Sequence, residues 1–469
     1  MVRRDYVQRS IFEVLLPDGD KLWAPELRQI DDTLNDEALV DLVARALGRR
    51  RPLSQVRGRP GTPAAVVLRL LVLKHLYDWS FDECEREVRG SLVYRAFCRI
   101  DCERVPDAKT LIRLAQLLGP DTLTGLVARL VATARQRKVI RGFRMRVDTT
   151  VVETNIHYPT DSTLLADGVR GLTRTMKTLR TVLGAGAIPF RDRTRSVARR
   201  VFEIAQRSRT AAQAQTQARM TQLYREVMGV TRAVVRDADA IGRSIAAGTR
   251  RRTARAAQGV VEKLGQRLCA TVSLVRRVLA QTRARVLKGD THYPDKVLSL
   301  FEPYTEAIRK GKAAKPTEFG KLVKLQEAEA QFITDYQVCA TRIPDGDLWV
   351  PALQRHESLF GRPPRLAVAD AGFASASNER AATARGVRRV ALPTRGRLSP
   401  TRRAHQRQRW FRRALRWRTG CEGRISVLKR RHGLRRCRYR GLDGMERWVG
   451  LGVIANNLWV LGRAGQRRT

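Results

Sequence analysis

The chain has 469 residues, 43% of them hydrophobic, and its 91 Lys+Arg against 45 Asp+Glu give a formal net charge of +46. Its length allows two or three domains of roughly 100–200 residues each, and charge repulsion on this scale strains a compact state unless a polyanion neutralises it. Nucleic acid is the partner this implies, because each phosphate paired with Lys or Arg releases a condensed counterion.

A membrane partner is the rival, but the longest mostly apolar runs, such as Val66 to Leu73 with Arg69 inside it, are far short of the ~20 residues that span a bilayer. The opening Met1-Val-Arg-Arg-Asp-Tyr6 has no apolar segment after its charges, which argues against export. The expectation is a cytoplasmic, nucleoid-associated protein with no membrane partner. Seven cysteines without a Cys-x-x-Cys pair, and six scattered histidines, fit neither a disulfide framework nor a zinc ribbon. Reduced thiols in a helical protein are the expectation.

In chain order, residues 33 to 140 read as short helices. One is predicted to start at Thr62-Pro63, a capping threonine before a first-turn proline, and to run through Val66, Leu70, Leu73 and Tyr77. The next opens at Ser80-Phe-Asp-Glu83, which has capping-box spacing. A third follows Asp107 through Leu111, Leu114 and Leu117. Such a series suits a helix-turn-helix-like module, though any small bundle would read the same. Ahead of it, Arg57-Gly-Arg-Pro60 has the makings of a minor-groove arm, with Arg57 and Arg59 entering the groove; a basic linker is the plainer reading.

Near residue 141 the period changes. Phe143 to Glu153 alternates and is rich in β-branched residues, predicting a strand and a hairpin. Residues 164 to 287 are helical in pattern, with breaks at Gly184-Ala-Gly-Ala-Ile-Pro189 and Ala247-Gly-Thr249. Strand signals return at Phe332–Val338, Leu366–Asp370 and Val387–Leu392, followed by helices at Trp410–Arg431 and Gly450–Gly462. The order alone describes an α/β domain split by a large helical insertion. Pro17-Asp-Gly-Asp-Lys-Leu-Trp23 is echoed by Pro344-Asp-Gly-Asp-Leu-Trp349; both read as Asp-Gly turns with a Trp anchor.

Three acids could carry chemistry. Asp148 ends Met145-Arg-Val-Asp, and Asp370 ends Leu366-Ala-Val-Ala-Asp. An aspartate closing an apolar strand is costly unless its charge is compensated, and two such ends in one sheet would offer hard oxygen ligands to Mg2+. For each alone, a cap or turn aspartate is the plainer account. Glu422 is the sole acid between Glu379 and Asp443, in a stretch crowded with arginine. Along DNA such a carboxylate repels phosphate unless a cation intervenes, and paired metals about 4 Å apart would activate the attacking oxygen and stabilise the leaving one. A surface ion pair to Arg418, at i−4, is the alternative. Glu153 and Asp161 compete with Asp148, but Glu153 faces the other way along a regular strand, and Asp161 reads as a cap for a helix from Ser162.

Asp148, Asp370 and Glu422 together resemble the Asp-Asp-Glu triad of insertion-sequence transposases with an RNase H-like catalytic domain. Arg418, Glu422 and Lys429 match the spacing of the Tyr-Arg-Glu-Lys signature, whose tyrosine position holds Leu415 here. Asp370-Ala-Gly-Phe373 is similar to the turn at the family's second acid. The helical run Thr62–Tyr77 with Tyr94-Arg-Ala-Phe97, and the segments Asn155–Ser162 and Lys315–Lys321, resemble further parts of such transposases.

The resemblance implies an α+β multidomain chain. A helical DNA-binding domain would occupy residues 1–140. An RNase H-like α/β domain would begin over 141–162, be interrupted by helices over 163–295, and finish over 296–469 with basic C-terminal helices. The implied function is binding of element ends, then metal-dependent DNA cleavage and strand transfer. Asp148, Asp370 and Glu422 would be both catalytic residues and ligands of two Mg2+ ions, with Mn2+ as a substitute. Arg418, Lys429, Arg430, Arg431, Arg57 and Arg59 would contact DNA. Partners would be double-stranded DNA, as terminal inverted repeats and target, and further copies of the chain in a homodimer or higher oligomer. Two rivals remain open: a non-catalytic nucleic-acid-binding protein, and an RNase H-like nuclease that cuts without joining.

Overall fold

The computed structural model describes residues 3–4, 22–49, 61–100, 103–184, 188–208, 214–247, 255–309, 316–394 and 396–466. The chain divides into two compact units, residues 1–155 with 308–469, and residues 156–307. Among the described residues the fold is mixed α+β, mostly helical, with a mixed sheet.

Among the described residues, the first unit opens with seven helices: α1 (Pro25–Leu34), α2 (Glu37–Gly48), α3 (Ala64–Leu76), α4 (Phe81–Gly90), α5 (Leu92–Phe97), α6 (Ala108–Ala115) and α7 (Pro120–Gln136). Helix α3 is apolar on nearly every side, and each residue from Ala64 to His75 is buried. Its one arginine, Arg69, is satisfied inside by Asp31 at 3.2 Å and Asn35 at 2.7 Å. The helix begins one residue later than the sequence implies: Pro63 occupies the cap position, with extended ψ, and no side chain caps the end. The capping box at Ser80 and Glu83 forms as expected, with bonds of 3.1 and 2.6 Å. Asp107 caps α6 through the Thr110 amide at 2.8 Å.

The sheet contains β1 (Arg144–Glu153), β2 (Glu306–Ile308), β3 (Glu318–Glu327), β4 (Ile333–Val338), β5 (Leu366–Val368) and β6 (Arg389–Ala391). Its order is β2-β3-β1-β5-β6, and β4 also pairs with β3. Strands β1, β3 and β4 are antiparallel neighbours, whereas β1, β5 and β6 run parallel. No hairpin follows β1, contrary to the sequence expectation; its antiparallel partner β3 lies far along the chain. Residues Met145 to Val152 are all buried, so both faces of β1 are covered and the alternation seen in sequence does not mark a solvated side. At the Glu153–Gly320 pairing the strands pass so closely that a Cβ on Gly320 would lie 2.0 Å from the Val152 carbonyl oxygen.

The helices after β4 are α12 (Trp349–Phe360), α13 (Ala376–Ala384), α14 (Pro400–Arg407), α15 (Arg409–Arg431) and α16 (Leu442–Gln466). Helix α16 starts well before the expected Gly450, because its polar first turn hides its beginning. It packs against α1, α3, α7 and β4, and its Asn457 bonds both backbone groups of Ile333, at 3.1 and 2.7 Å.

The second unit contains α8 (Asp161–Leu183), α9 (Thr194–Arg207), α10 (Ala214–Ala246) and α11 (Arg255–Thr282), the last continuing into a π-helical turn. Its own core includes Leu164, Val169, Leu172, Val227, Leu268 and Val275, while Val260 is left 48% exposed. Thr160, not Asp161, caps α8. Asp161 instead pairs with Arg285 at 3.1 Å. None of the described helices is long and apolar enough to cross a membrane.

Candidate active site

Two neighbouring strands position two of the acids. Strand β1 pairs with β5 in parallel, from Arg144 opposite Leu366 to Arg146 opposite Val368. The pairing ends there: Asp148 lies two residues further along β1, and Asp370 lies two residues past the end of β5. Asp148 is 8% exposed; its Oδ1 accepts the Thr149 amide at 2.8 Å. Asp370 lies just past β5 and caps the short turn Ala371–Phe373, its Oδ1 accepting the Gly372 amide at 2.9 Å. Turn capping and a strand-end position therefore coexist at one residue.

Helix α15 supplies the third acid. Arg146 shares the face of β1 that carries Asp148, two residues on. It is buried and pairs with the buried Glu327 of β3 at 2.5 Å. It also donates to the Trp417 carbonyl, and its guanidinium lies 4.9 Å from the Trp417 ring. Cys421, one turn on, donates its thiol to Glu327 at 3.0 Å; burial, then the Glu327 charge, pushes this thiol well above its usual range. Helix and strand meet so closely that a Cβ on Gly420 would stand 2.6 Å from Arg146 Nη1.

That docking delivers Arg418 and Glu422 to Asp148. Arg418 bonds Asp148 Oδ2 through Nη1 at 3.2 Å and Glu422 Oε1 through Nη2 at 3.0 Å. One planar guanidinium fork thus spans both carboxylates. Arg418 is 16% exposed and Glu422 is 64% exposed at the side chain, so the cluster opens to solvent on the Glu422 side. The ion pair weighed from the sequence is therefore present. Among the described residues, no group of three or more His, Cys, Asp or Glu side chains is arranged to hold a metal ion.

The other expected residues fall less centrally. Lys429 lies 3.9 Å from Glu318 and is 20% exposed at its side chain, so its ammonium faces a carboxylate. Arg430 and Arg431 are exposed in the last turn of α15. Leu415, at the signature's tyrosine position, packs with Phe411 and Val368 against the sheet. Arg57 and Arg59 lie outside the described residues. Sequence reasoning missed Arg146, although an arginine inside an apolar strand is itself a signal for a buried partner. It also read Asp345 only as a turn residue, yet Asp345 Oδ1 accepts the Thr149 hydroxyl at 2.9 Å.

Asp148 sits inside β1, not at its end as the sequence implied, and Asp370 lies just past β5. A sheet with these acids, overlain by an arginine-rich helix, is the frame in which comparison with known families becomes specific. Residues 12–117 match the family described as a transposase domain (DUF772), and residues 380–461 match a transposase DDE domain. The two matches support a DDE transposase of an insertion sequence, the family the sequence resembles. The chain is also similar, at 31% identity over 126 residues, to the uncharacterized protein ORF8 in the nfe locus of Rhizobium meliloti. That match covers 26% of this chain and 61% of the relative's length. No solved structure matches the chain.

Proposed function

We propose that the chain binds the ends of a bacterial insertion sequence and catalyses metal-dependent cleavage and strand transfer through Asp148, Asp370 and Glu422. One observation carries this reading. Asp148 lies on the strand that pairs in parallel with β5, whose chain leads two residues on to Asp370, and it is joined to Glu422 through the shared Arg418 guanidinium. The antiparallel strands on one side of β1 and the parallel ones on the other are compatible with an RNase H-like domain over residues 141–162 and 296–469. The helices of 163–295 would then be its insertion and residues 1–140 the DNA-binding domain.

The donor set fits a hard divalent cation. All three groups are carboxylates, the oxygen donors that Mg2+ takes, and two of them already converge on a positive group. Mg2+, or Mn2+ in its place, would be held by Asp148, Asp370 and Glu422 and would supply charge neutralisation and an activated oxygen at the DNA phosphate.

The chain's own residues do the remaining work. Arg418 neutralises Asp148 and Glu422 until a phosphate draws its fork away, since guanidinium pairs with phosphate as readily as with carboxylate. Arg430 and Arg431 hold the DNA backbone beyond the helix, and Lys429 exchanges Glu318 for a phosphate. Positioning and charge stabilisation, rather than a reactive side chain, carry such chemistry. The partners on this reading are double-stranded terminal repeats, target DNA and a second copy of the chain, met in the nucleoid. The test is a pre-cut DNA end carrying the element's terminal repeat and a free 3′-hydroxyl. Joining to a target plasmid in Mg2+ is the expected result. Cutting without joining would establish a nuclease, and binding without either would establish a non-catalytic DNA-binding protein.

A further inference from the structure

Asp345 lies in the Pro344-Asp-Gly-Asp-Leu-Trp349 turn, outside the three acids, yet it bonds the residue after Asp148 and lies beside Gly372 of the Asp370 turn. Its Oδ1 accepts the Thr149 hydroxyl at 2.9 Å, and Thr149 is the residue after Asp148. Its Oδ2 lies 3.0 Å from where a Gly372 Cβ would stand, and Asp370 Oδ1 lies 3.1 Å from the same point. Both carboxylate oxygens therefore approach the same point beside Gly372.

The turn that carries Asp345 is fastened to the Asp370 turn by a separate device. The Asn378 side-chain amide donates to both the Gly346 carbonyl and the Phe373 carbonyl, each at 2.9 Å. Trp349 Nε1 in turn donates to the Asn378 carbonyl at 3.1 Å. Trp349 and Phe373 are fully buried beneath this junction. A half-buried carboxylate set on a rigid base, with one oxygen on the neighbour of Asp148 and the other beside Asp370, is placed to hold both acids.

Resting on the three-acid reading above, we propose that Asp345 is a positioning residue of the same centre. It fixes Thr149, and so the backbone at Asp148, relative to the Asp370 turn. Its role is to accept a hydrogen bond, which an asparagine oxygen also does. Outer groups that orient metal ligands typically cost about 10–100-fold in metal affinity when removed.

The test compares Asp345→Ala, Asp345→Asn and Thr149→Val in the full chain, reading two quantities. One is the Mn2+ concentration that half-saturates a bound-Mn2+ spin-resonance titration of the protein without DNA; the other is the rate of cleavage of a DNA end at saturating Mn2+. Asp345→Ala and Thr149→Val should each raise the half-saturating Mn2+ by about tenfold or more. The double variant Asp345→Ala with Thr149→Val should be no worse than either single one, since both break the same bond. Asp345→Asn should recover most of the affinity. Unchanged Mn2+ affinity in Asp345→Ala overturns the proposal. So does Asp345→Asn failing as badly as alanine, which would make Asp345 a direct ligand by its charge. Asp148→Ala and Asp370→Ala serve as reference: if they too bind Mn2+ as the parent does, the three-acid reading has failed rather than the role of Asp345.

Discussion

Arg146 and Asp148 stand two residues apart on one face of β1, and between them they decide how α15 meets the sheet and where its acid ends up. Residue type alone was legible in the sequence, as with one glutamate among arginines, but the strand-end placement that the sequence implies for Asp148 is not what the fold shows, since β1 continues to Glu153. Partners set by the fold were not legible either. Nothing local marks Asp345 as the acceptor for Thr149, or Glu327 as the counter-charge for Arg146, because both pairs join residues far apart in the chain. Residue chemistry also sets a pH dependence. Burial lowers His356 and His432 to about 4 from the usual 6.5, and each ring bonds a backbone carbonyl, of Gly142 and His75 respectively. The folded state therefore binds fewer protons than the unfolded chain between pH 4 and 6.5, so stability falls as pH drops through that window. Denaturant midpoints taken from pH 7 to 5 should decline, and His356→Gln should reduce the slope. A flat profile over this range would show that these rings titrate normally.

At the scale of elements, the junction of α15 with β1 and β3 is the feature on which the site depends. The buried Arg146–Glu327 pair cannot relax cheaply, since removing one partner leaves a buried charge at a cost of about 3–5 kcal/mol. Arg146→Met should lower unfolding stability by that order and reduce cleavage. Gly420→Ala should do so more mildly, about 1–3 kcal/mol, by forcing the helix off Arg146. Chemical denaturation with both variants checks this; parental stability in both would mean the helix docks by other contacts. The helix itself was readable from Trp410 to Arg431 and observed from Arg409 to Arg431. Strand β3, the long partner of β1, was not seen in the sequence. Lys321, Lys324 and Gln326 break its apolar run, yet all three are buried. Lys321 donates to the Ala340 carbonyl, and Lys324 pairs with Asp335 at 2.8 Å. A pattern of charges reads as a solvated strand until its partners are known.

For the whole molecule, the +46 charge and the separate helical unit of residues 156–307 raise one question. In that unit several acids are already matched, as in Arg193 with Asp237 at 2.8 Å and Arg200 with Glu226 at 2.7 Å. The remaining arginines have no comparable supply of acids in the sequence, which favours a surface that follows phosphates or meets a second copy of the chain. Replacing residues 164–287 by a short Ser-Gly linker should leave the first unit folded but abolish assembly on paired DNA ends in a gel-shift assay. Normal end pairing by the truncated protein would reduce the helices to a spacer. The existence of this helical segment was legible from spacing, as was the return of strand signals after it. What the order of signals could not supply was the pairing of β1 with β3 and β5, which sets the strand carrying residue 148 beside the strand that leads to residue 370.

The most direct measurement compares the parent with Asp148→Asn, Asp370→Asn and Glu422→Gln on double-stranded DNA bearing the element's terminal repeat. DNA occupancy is matched at fixed salt, and cleavage is followed with Mg2+ present and absent. The parent should cut only with Mg2+. Each variant should bind nearly as well yet cut slower by on the order of 10²–10³-fold, since arginines beyond the three acids, such as Arg430 and Arg431, hold the DNA backbone on this reading. Cleavage by the three variants at the parental rate, with equal occupancy, would contradict the assignment of Asp148, Asp370 and Glu422.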